Sequence, residues 1–281
     1  EDFNQLVDSI QTYHPQPYEF ISKDSFNQFV NLKKEAITDS TTIGEFSWIC
    51  SAIASKVGCV HTYTSAGNTL NFSQEMFFPV NVQYVNSRLY IIDTYKPNIE
   101  LKSGVEILTI NGVDVLDLQT KIAAHISSDG HNKKYTDARA VRSFGYFCAY
   151  QLNFPKAYKV EILENGIKKK VLLNKELPNN DTNTSASPTE NLTFSLKTAE
   201  NLAIVTIKSF VYYGDQLPVF KSFMDSCFNQ IKLHDIENVI IDLRDNGGGD
   251  PYCAVHLLQY ISDATIRYYT KGTTTYYQDL E

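Results

Sequence analysis

The sequence predicts a mixed α/β chain of several domains, and three observations carry that prediction. Residues 1 to about 66 repeat apolar side chains at helical spacing, and residues 75 to 175 alternate them as strands do. From residue 194 the order becomes strand, helix, strand, glycine turn, helix. A polar, turn-rich run, Pro178 to Pro188, precedes that last unit. The expected divisions are therefore a helical segment at 1–70, a β-rich domain at 75–175, a flexible linker at 176–193 and an α/β unit at 194–281.

The elements follow in order. Phe3, Leu6, Val7 and Ile10 form one face of a helix that His14-Pro15 breaks. A second helix starts at Lys23-Asp24-Ser25 and carries Phe26, Phe29, Val30 and Leu32. A third, Thr42 to Val57, stops at Gly58, where a helix C-terminus favours glycine. Phe78 to Val85 and Arg88 to Ile92 read as strands joined at Asn86-Ser87. Asn111-Gly112 is a tight-turn pair, and a helix follows at Leu116 to Ile126. Tyr158 to Leu163 and Lys169 to Leu173 close a hairpin around Asn165-Gly166. Residues 127–151, rich in Tyr and Phe, suit either a substrate channel or core and interdomain packing.

Bulk properties narrow the function. Hydrophobic content of 43% with 20% charged residues permits a sizeable core. A net charge of -7 argues against binding nucleic acid or an anionic membrane, both of which recruit positive potential. The five cysteines are scattered, without a C-x-x-C pair, so they read as buried thiols and indicate neither a zinc site nor a disulfide framework. No run of 18 or more apolar residues exists, so no transmembrane helix is expected.

The most informative stretch is Asn238 to Leu258. The apolar run Val239 to Leu243 reads as a buried strand, broken by Gly247, Gly248 and Gly249. Asp250-Pro251 then supplies an N-cap and a proline at the first helical position. A phosphate loop would need Lys-Ser or Lys-Thr after the glycines, or a spaced G-x-G-x-x-G, and the chain has neither. Two readings of the turn stay open on the residues themselves: a structural corner, or backbone amides aimed at developing negative charge.

Val239-Ile240-Ile241-Asp242-Leu243-Arg244-Asp245-Asn246-Gly247-Gly248-Gly249 resembles the signature of the tail-specific, or C-terminal processing, serine peptidases of family S41 and their tricorn-core relatives. Three further segments share the likeness. Gly58-Cys59-Val60-His61-Thr62 resembles the Gly-x-x-His-Thr that closes the N-terminal helices of this family, with Cys59 and Val60 where Asp-Gly is usual. Leu101 to Gly112 resembles the heart of a PDZ domain, although no Gly-Leu-Gly-Phe-like carboxylate loop is present. Leu202 to Ile207, followed by Phe210, is similar to the family's strand and aromatic.

The resemblance implies an α/β multi-domain peptidase with an N-terminal helical segment, a PDZ-like β-rich domain and a crotonase-like (ββα) catalytic core. It implies that His61 is the general base and that Gly247 and Gly248 supply the oxyanion hole. It further implies a peptide or protein substrate, no cofactor, no metal and an exported protein. Arg244 and Asp245 are expected to pin the turn, and His14, His125, His131, His234 and His256 to be structural. The nucleophilic serine is expected beyond Glu281, since Ser262 lacks a preceding strand. The alternative is a catalytically inactive protein of the same fold that binds peptide or an apolar ligand.

Overall fold

The computed structural model describes residues 1–65, 77–94, 101–174 and 191–265. They fall into two compact units, Glu1–Asn180 and Asp181–Gly272, of mixed α/β composition. The expected linker lies outside the described residues as far as residue 190.

The first unit opens with three helices, α1 (Asp2–Tyr13), α2 (Lys23–Glu35) and α3 (Ile43–Ser55). The second and third begin at side-chain caps that the sequence supplies. The Ser22 side chain accepts from the Ser25 amide at the head of α2. Thr42 and Glu45 form a full capping box at the head of α3, which satisfies two otherwise orphan backbone donors. The inward faces meet in one cluster that includes Phe3, Val7, Phe26, Val30, Ile53 and Val57. Phe26 and Ile53 are fully buried, each worth about 2–3 kcal/mol of apolar transfer.

The same unit contains an antiparallel sheet. Strands β1 (Val80–Val85), β2 (Arg88–Thr94), β3 (Glu106–Ile110), β5 (Ala157–Glu164) and β6 (Ile167–Asn174) lie in that order, and the short β4 (Val113–Asp114) pairs with β3. Its hairpins turn where the sequence demands. Asn86 and Ser87 have φ of 48° and 62°, Asn111 and Gly112 of 50° and 80°, and Asn165 and Gly166 of 52° and 79°. Two positive φ angles in a row twist the turn in the sense the strands need, and asparagine and glycine tolerate them. The Asp114 side chain caps α4 (Val115–Ala123) by accepting from the Leu116 amide. Residues 127–151 contain two more helices, α5 (Lys133–Arg142) and α6 (Phe144–Gln151). Phe144 and Cys148 join the sheet core beside Phe78, Leu118, Ile122 and Tyr158.

The second unit is a three-stranded sheet, β7 (Leu192–Lys197), β8 (Leu202–Ile207) and β9 (Asn238–Asp242), with β7–β8 antiparallel and β8–β9 parallel. The parallel step requires a crossover, and α7 (Leu217–Leu233) provides it. Helix α8 (Pro251–Ile261) follows β9. Ala203, Val205 and Ile207 alternate into a core with Phe220, Met224, Cys227, Cys253 and Leu257. The buried-strand reading of Val239 to Leu243 is corrected here. The strand exists, but Val239, Ile240 and Leu243 are 37%, 49% and 43% exposed. The cause is position: among the described residues β9 pairs only with β8, so one edge stays open.

Candidate active site

The glycine turn joins β9 to α8 in the second unit, and its shape comes from side chains that precede it. Asp242 and Arg244 brace the strand end. The Arg244 Nε donates to Asp242 Oδ1 at 2.9 Å and the Arg244 amide to the same oxygen at 3.0 Å. This partner holds the Asp242 carboxyl down at about 2, well below the ordinary carboxylate range. Arg244 therefore pins the turn, and Asp245 takes the left-handed corner with φ 66°. Asn246 locks it from inside: its Nδ2 donates to Ile207 O at 2.9 Å, while its Oδ1 accepts from the Gly248 amide at 2.8 Å.

The three glycines have different reasons to be glycine. A Cβ at Gly249 would stand 2.2 Å from the Phe210 carbonyl carbon, so the two backbones touch there as an isolated β-bridge. Gly248 has φ 92° but open space around it, and Gly247 meets neither restriction. Phe210 completes the frame. Its amide donates to Gly248 O at 3.0 Å and its carbonyl accepts from the Asp250 amide at 2.7 Å. The buried Asp250 side chain then caps α8 through the Tyr252 amide at 2.9 Å. Among the described residues, the Gly247 amide has no acceptor, while the Gly248 amide is held by Asn246.

His61 stands in the first unit, exposed on the turn that follows α3. The turn is built by the Thr62 amide donating to Cys59 O at 3.0 Å, and it starts from Gly58 at φ 71°. Three bonds tie the loop to residues 127–130. The Val60 amide donates to Asp129 Oδ1 at 2.9 Å, Ser127 Oγ to Thr62 O at 2.6 Å, and the Gly130 amide to Gly58 O at 2.9 Å. No carboxylate among the described residues bonds the His61 ring. His61 thus belongs to one unit, and Gly247 and Gly248 to the other.

Beside the His61 loop the first unit holds a cavity of about 550 Å³, with Val60, Tyr63, Trp48, His125, Phe147 and Tyr150 on its lining. Here the structural reading of His125 needs widening. Its ring stacks on Trp48 with centroids 3.9 Å apart. Its Nδ1 lies 2.8 Å from Trp48 O, an atom that only accepts, so Nδ1 carries the proton. Burial presses its pKa down to about 4. Nothing in the sequence around His125 signals this, because Trp48, its partner, lies 77 positions earlier. Of the aromatic residues of 127–151, Phe144 lies in the core, and Tyr146, Phe147 and Tyr150 line the cavity.

Among the described residues no cluster of His, Cys, Asp and Glu is grouped to hold a metal ion, and no helix is long and apolar enough to cross a membrane.

Comparison with known proteins gives two findings. The model of peptidase family S41 matches residues 201–281, a span that contains the whole glycine turn. The fold is similar to that of mature CPAF. In its complex with lactacystin the TM-score is 0.59 at 14% identity, over 92% of this chain and 57% of that one. A second structure of mature CPAF gives 0.54 at 13% identity, over 89% of this chain and 55% of that one. The chain therefore spans little more than half the length of the structures it resembles, and at this identity the likeness is one of fold. No curated protein matches.

Proposed function

On the premise that residues 201–281 carry the sequence of peptidase family S41, we propose that this chain is part of a serine endopeptidase of the tail-specific type. Its substrates are peptides or proteins, cleaved through an acyl-enzyme. The observation that carries the reading is the glycine turn inside the matched span, whose Gly247 amide is open in the loop three residues before Asp250, the N-cap of α8. The first unit is read as a helical segment followed by a PDZ-like domain, and the second as the first part of a crotonase-like core. The open, apolar edge of β9 supports that last reading, because such an edge is completed by further pairing.

In the proposed reaction a serine hydroxyl from beyond Glu281 attacks the scissile carbonyl and His61 accepts its proton. The carbonyl oxygen becomes an oxyanion and takes the Gly247 N–H. The Gly248 N–H joins by exchanging Asn246 Oδ1 for the oxyanion, and the rest of the Asn246 bonding keeps the loop in place. Collapse expels the amine, which leaves with the proton from His61, and water then frees the acyl group. The same family resemblance supports an exported protein that works without cofactor.

The test uses the full-length enzyme and a fluorophosphonate probe, which labels an activated serine. Wild type is expected to label and to turn over peptide. His61→Ala should lower kcat by about 10²–10⁴. Gly248→Val should lower it by about 10²–10³; at φ 92° a β-branched residue is strained although its Cβ meets open space, so circular dichroism first checks that the variant is folded. Unchanged turnover in either variant removes that residue's role. A full-length protein that never labels, yet binds peptide saturably, is the non-catalytic binding protein instead.

A further inference from the structure

The cavity beside the His61 loop sets a wall of aromatic rings beside hydroxyls, Ser47, Ser51, Thr64 and Ser127 among them. Trp48 and His125 form a stacked wall, with planes 3° apart, and Phe147 and Tyr150 lie within 6.1 and 5.5 Å of the Trp48 ring. Arg139 is the one formally charged residue on the lining among the described residues, and it is exposed. The His125 imidazole stays neutral near pH 7. A guest in the interior therefore displaces no bound charge, and the penalty that desolvating one would bring is absent.

Size and polarity add to this. A volume of about 550 Å³ exceeds one side chain and lies in the range of sites that bury a small ligand. Thr64 Oγ1 is buried on the same lining without a partner among the described residues. A buried hydroxyl of this kind gains a bond when a guest brings an amide. Val60 and Tyr63, which flank His61 in the sequence, also line the cavity.

We propose that this cavity is a substrate subsite that receives an aromatic side chain of the peptide, seated among Trp48, His125, Phe147 and Tyr150, with Thr64 Oγ1 bonding the peptide backbone. That the guest belongs to a peptide rests on the peptidase reading; that it is aromatic rests on the lining alone. Aromatic rings gain beyond their buried area when they meet other rings offset or edge-on.

Trp48 is the single tryptophan of the sequence, so its fluorescence reports on the cavity without any need for catalysis. The 281-residue chain is titrated with acetyl-Ala-Ala-Phe-Ala-Ala-amide and, separately, with acetyl-pentaalanine-amide. The expected result is a saturable change in Trp48 emission, with the Phe peptide binding at least about tenfold tighter than the Ala peptide. Ser47→Phe, which puts a ring into the cavity from α3, should abolish the preference, and circular dichroism checks that the variant is folded. Equal responses to the two peptides, no response to either, or an unchanged preference in folded Ser47→Phe each overturns the subsite. Failure of serine labelling in the full-length enzyme would overturn the peptidase reading and leave this titration unaffected.

Discussion

Burial against Trp48 keeps the His125 imidazole neutral and holds its pKa at about 4 instead of 6.5, with Lys33 and Lys56 adding repulsion and the Trp48 carbonyl opposing the shift. The unfolded chain therefore takes up this proton near pH 6.5 while the folded chain resists until about pH 4. Stability linked to His125 is complete above pH 6.5 and falls as the pH drops toward 4, by about 3 kcal/mol in all. Urea denaturation at intervals from pH 7 to 4 should show the loss, and His125→Gln should flatten that part of the profile; an unchanged slope would remove the assignment. The residue scale was only partly legible in the sequence. The glycine triplet announced a special turn, but not that Gly249 alone is forced by backbone contact with Phe210, a residue 39 positions earlier. Nor did the chain disclose that Asn246 holds the Gly248 amide. Both facts depend on atoms brought together by the fold.

Elements were read more fully, because their signals are local. Thr42-x-x-Glu45 marks the start of α3, Asp250-Pro251 that of α8, and each two-residue turn with asparagine first places a hairpin. Asp250 has the most to do of these caps. Its buried carboxylate bonds the Tyr252 amide, and its own amide fastens the turn to Phe210 O. Asp250→Ala is expected to destabilise the second unit by about 1–2 kcal/mol, and Asp250→Asn by less, since an amide oxygen also caps. Chemical denaturation of the two variants checks the order. What local pattern missed was environment. The run Val239 to Leu243 looks buried because it is apolar, yet burial is decided by neighbours, and β9 has one. Within residues 127–151, α6 gave no helical pattern because it is apolar nearly all round, one side meeting the core and another the cavity.

At the scale of the whole molecule the described chain has three separate apolar clusters, two in the first unit and one in the second. No residue belongs to two of them, so core damage should stay within its unit. Met224→Ala, at a fully buried position, is expected to cost the second unit about 2–5 kcal/mol, and Leu118→Ala the first unit a similar amount. Scanning calorimetry should then show each change moving one transition; a single transition moved alike by both would mean that the units unfold together. The cysteines give this layout a practical use. Cys50 is sealed in the helical cluster, Cys148 in the sheet core, and Cys227 and Cys253 in the second unit, while Cys59 is half-buried. Burial also pushes the thiols of Cys50, Cys227 and Cys253 up to about 11, so little thiolate exists near neutral pH. Each compartment thus carries its own chemical tamper seal: alkylation of a given thiol dates the moment its surroundings opened, and peptide mapping tells which compartment gave way first.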